Sequence, residues 1–179
     1  MSDQPVETVT LIPMGAARLR ISAFPVIGNG SNAHEWALGK AVPLSASHCN
    51  GSDTLEALTD GLEPKNSDDH SIPRFTWWDH RGTSEWVEQD FTKPRRVSSV
   101  EVYWFDDTGS GSCRVPGSWN LDFRDGQQWK PVSGAKDFGV RRDAYNRVAF
   151  NPVETTALRL MVQLQPGFSG GILEWKVTE

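Results

Sequence analysis

Between Ser118 and Arg124 every second residue is large and apolar. Trp119, Leu121 and Phe123 alternate with Ser118, Asn120, Asp122 and Arg124, and Asp125-Gly126 follows at once. A period of two puts the apolar side chains on one face of an extended strand and the polar ones on the other; a helix, with its period of 3.6, cannot gather them. Asp-Gly after such a run predicts a tight hairpin, because glycine accepts the positive φ of the turn. The returning strand carries Trp129 and Val132. The same alternation recurs elsewhere. Val100, Val102 and Trp104 share one face of Val97–Phe105, and Leu158, Leu160, Val162 and Leu164 alternate with Arg159, Met161 and Gln163. Leu173, Trp175 and Val177 form the inward face of the last strand, and only Thr54–Thr59 hints at a helical turn. Strands separated by Gly, Pro and Asp turns predict an all-β fold, an antiparallel β-sandwich or jelly roll.

Three zones follow along the 179 residues. Residues 1–27 read as a strand pair, Glu7–Ile12 and Arg18–Phe24, turning at Pro13–Gly15. Residues 28–53, rich in Gly, Ser, Asn and Ala, read as a linker. Residues 54–179 form the main domain. The formal net charge of −5 argues against a nucleic-acid partner, which needs a basic surface. The sequence has no apolar run of about eighteen residues, so no spanning helix is expected. Residues 1–20 lack the pattern of a signal peptide. Cys49 and Cys113 could pair once, and Cys49 is equally suited to be a small buried residue.

The segment Arg74–Trp86 sets three tryptophans, Trp77, Trp78 and Trp86, among Asp79, His80, Arg81 and Glu85. A core needs the aromatics but has no use for so many polar neighbours, whereas a sugar site needs both. An indole covers the C–H face of a pyranose, and charged groups grip its hydroxyls in pairs. Trp77 and Trp78 are consecutive, so an extended backbone points them opposite ways, one inward and one free for a ligand. Trp104, Trp119 and Trp175 face inward by alternation. Asp106, Asp107 and Arg114 border a polar loop directly after a core strand, where a rigid scaffold positions ligand-binding groups. Catalytic signatures are absent: no G-x-S-x-G, no H-E-x-x-H across His34, His48, His70 and His80, and no phosphate-cradling G-x-x-x-x-G-K.

From Ala46 onward the chain resembles the discoidin-like modules, also called coagulation factor 5/8 C-terminal domains. The resemblance rests on Thr59-Asp60-Gly61, on Glu85-Trp86-Val87-Glu88-Gln89-Asp90-Phe91, on the strand–turn–strand from Trp119 to Trp129, and on Ala157–Leu160 and Gly171–Val177 at the end. Trp77-Trp78-Asp79-His80 and Trp104-Phe105-Asp106-Asp107 look closer to an accessory module C-terminal to bacterial glycosidases of the β-L-arabinofuranosidase type, family 127. Residues 8–25 then resemble the strand pair that closes the domain upstream of such a module. The resemblance implies a galactose-binding-domain-like jelly roll with Trp86 in its core. It implies a non-catalytic module that binds glycan through loops at one end, with Trp78, Asp79, His80, Arg81, Asp106, Asp107 and Arg114 on one rim. It also implies a structural calcium ion held by Asp60 and Glu174. The expected setting is a larger secreted, periplasmic or cell-surface bacterial glycoside hydrolase, whose catalytic domain is the second partner beside the glycan. Two alternatives remain open at this point: a structural module that packs on the catalytic domain without binding sugar, and a small glycosidase.

Overall fold

The computed structural model describes residues 43–179. The strand pair expected within 1–27, and most of the expected linker, lie outside the described residues. The regular structure of the described chain is almost entirely strand, in the order β1 (Leu44–Ala46), β2 (Phe75–Thr76), β3 (Ser84–Phe105), β4 (Ser118–Asp125), β5 (Gln128–Pro131), β6 (Tyr145–Gln163) and β7 (Gly171–Thr178). The one helical element among the described residues is a short 3-10 turn, Leu55–Leu58, within the stretch where the sequence hints at one; the Thr54 side chain caps it. The all-β antiparallel reading holds.

Two long strands build both layers of the sandwich. The first half of β3 pairs with β1 on one side and with the second half of β6 on the other; Val87, for example, lies opposite both Ala46 and Leu160. The second half of β3 pairs with the first half of β6 and with β7, where Val102 meets Asn146 and Trp175. Between the halves the register slips, from Asp90 to Arg95. Pro94 sits in that slip, where the missing N–H costs no ladder bond. A bend of this kind lets a strand leave one sheet and enter the other. β4 and β5 extend the first layer through the Asp125-Gly126 hairpin, where Gly126 has φ 61°. β2 closes the second layer against β7.

The inward faces meet as predicted except on β7, where the register shift at Tyr103/Trp104 brings Ile172 into the core with Trp175 and turns Leu173 to a second cluster with Tyr103, Phe105 and Cys113. Trp104 and Trp175 are buried with Val100, Val102, Leu121, Leu158 and Leu160. Trp104 and Trp119 pack edge to face at 5.5 Å, and both indole N–H groups donate to the Gly139 carbonyl, at 3.4 and 2.9 Å.

Two further expectations require correction. Residues 43–53 are part of the domain rather than linker: Leu44, Ala46 and Cys49 pack against the core, and Leu44–Ala46 is an edge strand. A strand of three residues in a Ser- and Gly-rich setting is too short to show alternation. Trp86 is not core either. Val87 is the inward residue, fully buried, so Trp86 lies on the outer face, opposite Met161. Cys49 and Cys113 are both free thiols.

Trp104→Ala should lower the unfolding free energy by ~3–5 kcal/mol, the usual cost of emptying a packed aromatic site. Trp86→Ala should cost well under half of that. Urea denaturation of the two variants checks the inward and outward assignments together.

Candidate functional site

β2 decides which way the aromatic pair points. Its register against β7 sets Phe75 opposite Ile172, and Trp77 N–H donates to Gly170 O at 3.0 Å. The approach is close: a Cβ on Gly170 would meet the Leu164 side chain and the Arg114 carbonyl. Trp77 is fully buried, edge-on to Phe75 at 5.0 Å. Trp78 therefore turns the other way. It is half-buried and packs on the smaller cluster of Tyr103, Phe105, Cys113 and Leu173.

Beside Trp78 opens a cavity of about 280 Å³ at one end of the sandwich. Three segments wall it: the loop with Asn50 and Asp53, the start of β2 with Arg74 and Thr76, and the loop from Asp107 to Cys113. The charged groups are held from behind. Asp53 accepts from Thr76 Oγ1 at 2.5 Å and lies 3.4 Å from Arg74 Nε. The Arg74 guanidinium also rests over the Phe105 ring at 5.2 Å. Asp107 accepts from Cys113 N–H at 2.7 Å, and Arg114 donates to it at 3.4 Å. A Cβ at Gly111 would overlap the Asp107 carboxylate, so a glycine there leaves the carboxylate its place. The Cys113 thiol at the wall is pushed up to about 12, by burial first and by Asp107 second. It is an inert lining group at neutral pH.

The seven residues expected on one rim divide. Trp78 and Asp107 line the cavity together. Arg81 lies over the Trp78 ring at 4.5 Å, and Arg114 stands behind the wall, donating to Asp107 and to the Gly111 and Cys113 carbonyls while it stacks on Phe168 at 4.5 Å. Asp106 is 1% exposed. It accepts from Thr108 N–H and Oγ1, from Val115 N–H, and pairs with Arg142 at 3.3 Å. Its oxygens are turned to the loop, so it shapes the site without facing it. Asp79 is exposed and His80 half-buried, outside the cavity lining. His80 stacks on His48 at 4.1 Å and pairs with Glu85 at 2.7 Å. Burial opposes the charge on Glu85, but bonds from Ser47, Thr83 and His80 hold its carboxyl below the usual range. His48 in turn bonds the Trp78 carbonyl at 2.7 Å, so this cluster anchors the backbone behind the indole. Sequence reasoning missed Asn50, Asp53 and Ser112 in the wall and gave Arg74 no role. Asn50 and Asp53 fall in the stretch read as linker; Arg74 opens the aromatic-polar segment and was legible there.

Asp60 and Glu174 do come together. Gly61 N–H donates to Glu174 Oε2 at 3.2 Å. Glu174 is 3% exposed, and burial, with Asp60 adding repulsion, pushes its carboxyl up to about 7. Two carboxylates crowded this way fit a hard cation in donor chemistry, with the remaining oxygens left to backbone carbonyls or water. Among the described residues no cluster of three or more His, Cys, Asp or Glu side chains is arranged to hold a metal.

No family model matches the chain. Solved structures do. A structure of a Streptococcus pneumoniae β-galactosidase aligns with a TM-score of 0.68 at 22% identity, over 81% of this chain and 96% of that one. The family 32 carbohydrate-binding module of C. perfringens NanJ, solved with galactose, aligns at 0.59 and 17% identity, over 77% and 93%. A Ruminococcus gnavus family 29 fucosidase solved with fucose aligns at 0.55 and 13% identity, over 79% of this chain but 26% of that one. The fold is thus the discoidin-like β-sandwich found in carbohydrate-binding modules. Among the described residues no helix is long and apolar enough to cross a membrane.

Trp77→Ala should unfold the domain at a markedly lower denaturant concentration, by ~3–5 kcal/mol. Trp78→Ala should retain a cooperative melt near the parent. Asp106→Ala should cost ~2–4 kcal/mol, because it strands buried loop donors, whereas Asp107→Ala costs less. Thermal and urea melts of the four proteins decide the assignment.

Proposed function

We propose that this chain is a non-catalytic carbohydrate-binding accessory module of a larger bacterial glycoside hydrolase, and that it takes a sugar in the end cavity. One observation carries the reading. Trp78 borders a cavity whose wall alternates acceptors and donors: Asp53, Arg74, Asp107, Asn50 and Ser112. A carboxylate accepts two hydroxyls of a diol at once, and a guanidinium donates to both. Arg74 and Asp107 are braced by neighbouring side chains or backbone, so little freedom is lost when a sugar binds. Arg81 covers one face of Trp78, which leaves the indole edge, or the face after Arg81 swings aside, for the C–H surface of the sugar. The galactose carried by a module of like fold supports the ligand class. The fucosidase, in which the same fold is about a quarter of the chain, supports the accessory role. We further assign the parent to the β-L-arabinofuranosidase type, on the sequence resemblance above, and place it outside the cytoplasm. There the module raises the local concentration of substrate for its enzyme. The carboxylates at the cavity wall are tied to Arg74, Arg114 and Thr76, not poised as an acid and nucleophile pair.

Binding should be weak, on the order of micromolar to millimolar, since a shallow site displaces well-hydrated hydroxyls. On a glycan array, Trp78→Ala and Asp107→Ala should each lower affinity at least tenfold for whichever glycan the parent binds. Unchanged binding in both puts the sugar site elsewhere and ends the end-cavity reading; an array with no ligand at all leaves the purely structural module as the reading. The chain alone should not hydrolyse aryl glycosides.

We also propose that Asp60 and Glu174 hold a calcium ion. The sign of the pH effect follows from Glu174. Its folded pKa, about 7, exceeds the ordinary 4.5. The folded state therefore binds the extra proton between those values, and without metal stability is highest below the lower value and falls as pH rises towards 7. In EDTA the melting temperature should fall from pH 5 to pH 8, and Glu174→Gln should flatten that slope. Added calcium should raise the melting temperature of the parent at pH 8 and leave Glu174→Gln unmoved.

A further inference from the structure

The outer face of the layer that carries β4 and β5 has no part in the end cavity. Strand pairing aligns Trp86 with Met161 and Asn120, Glu88 with Arg159 and Asp122, and Arg124 with Trp129. Alternation turns all of these away from the core. Arg159 lies between two indoles, 4.8 Å from the Trp86 centroid and 4.0 Å from that of Trp129; Arg124 lies 4.9 Å over Trp129. Glu88 joins the stack from the side. It accepts from Arg159 Nη2 at 2.9 Å and from Arg124, which also donates to Asp90 at 3.0 Å. Each guanidinium is fixed by a ring and a carboxylate, yet 23% of the Arg159 side chain and 29% of Arg124 remain in solvent. Their unused N–H groups are donors held ready. Asp122, beside Arg159, supplies an acceptor; burial pushes its carboxyl up, and Arg159 works against that.

This ridge runs between two depressions. One lies around Ser84, Ser118, Asn120 and Gln163, the other around Arg124, Gly126 and Thr155. From Gln163 to Thr155 along β6 the face spans about 26 Å at ~3.3 Å per residue. It is open at both ends. Among the described residues the exposed large apolar side chain is Leu62, which is elsewhere. A lasting protein interface wants an apolar centre depleted of charge, and this face has its charges at the centre. Hydroxyls and small amides at the flanks, with rigid donors and acceptors between indole edges, match a string of sugar rings.

We propose that this face is a second carbohydrate-binding surface, which takes an extended polysaccharide chain along its length while the end cavity takes a terminal sugar. It shares with the end-cavity reading only the class of ligand; the residues are separate. Affinity electrophoresis of the full chain, in native gels containing soluble xylan, galactan, arabinan, polygalacturonan or chitosan, tests it. At least one polysaccharide should retard the parent and Asp107→Ala alike, and free galactose should not compete. Trp129→Ala should weaken retardation at least tenfold. Asn120→Arg should do the same from an exposed strand position where the fold has no stake, so it decides the matter if Trp129→Ala does not fold. The proposal is overturned if no gel retards the parent, if Asp107→Ala abolishes retardation, or if Asn120→Arg leaves it unchanged. Self-association in sedimentation velocity that Asn120→Arg removes, without retardation in any gel, makes the face a protein contact and overturns the proposal too. A failure of the end cavity shows itself separately, as an Asp107→Ala protein that binds array glycans like the parent.

Discussion

The pairing of β3 with β6 is the constraint on which the rest of the structure depends. Their ladder runs from Ser84 opposite Gln163 to Tyr103 opposite Tyr145, and crosses from one layer to the other through the stretch from Asp90 to Ser99, where the register shifts twice. Each strand therefore contributes to both sheets, and neither sheet can shift without dragging its partner. The core is closed by the same device, because the inward residues of each half, Val87 and Leu160 in one and Val100 and Val102 in the other, face each other across the fold. The loops at the strand ends inherit this rigidity. Asp106 and Asp107 begin a loop directly where β3 ends, and Trp77 and Trp78 follow a two-residue strand pinned to β7.

Period-two alternation made the layers legible, and the structure follows it at Trp104, Trp119, Leu121, Leu160 and Trp175. It failed where a strand was short, and the family resemblance misled where a polar residue takes a core position. Leu44–Ala46 offers only three residues. Around Trp86 the strand runs Glu85, Trp86, Val87, and the buried positions are the glutamate and the valine. A carboxylate facing inward reverses the expected parity. Glu85 is tolerated there because Ser47, Thr83 and His80 all bond it. Partners contributed across more than thirty residues of chain, as Ser47 is, have no local signature.

The candidate site was legible as a composition and not as an arrangement. Trp78 and Asp107 do meet at one cavity. Asp106, one residue earlier, is consumed by its own loop. Adjacent aspartates at a strand end point to opposite sides, so one of the pair must turn inward, and only the backbone donors of the folded loop choose which. Asp53 and Arg74 show the converse. Twenty-one positions apart, they become neighbours at 3.4 Å because the Asn50–Thr54 loop bonds to the strand beside Arg74.

Guanidinium on indole recurs through the molecule, and its setting differs from place to place. At Trp78, Arg81 is exposed within the aromatic-polar segment and caps a single ring. A lone exposed cation of this kind gains on the order of 0.5–1 kcal/mol from the ring, little enough for a ligand to displace it. On the outer sheet face, Arg159 is enclosed by Trp86 and Trp129 and tied to Glu88 as well. A ligand gains nothing by moving that group and must use the donors it already presents. The end cavity thus has braced walls and one adaptable cap, Arg81, whereas the sheet face is fixed throughout. Adaptability suits a ring that must be enclosed, and fixed spacing suits a chain of repeating units that must be matched in register.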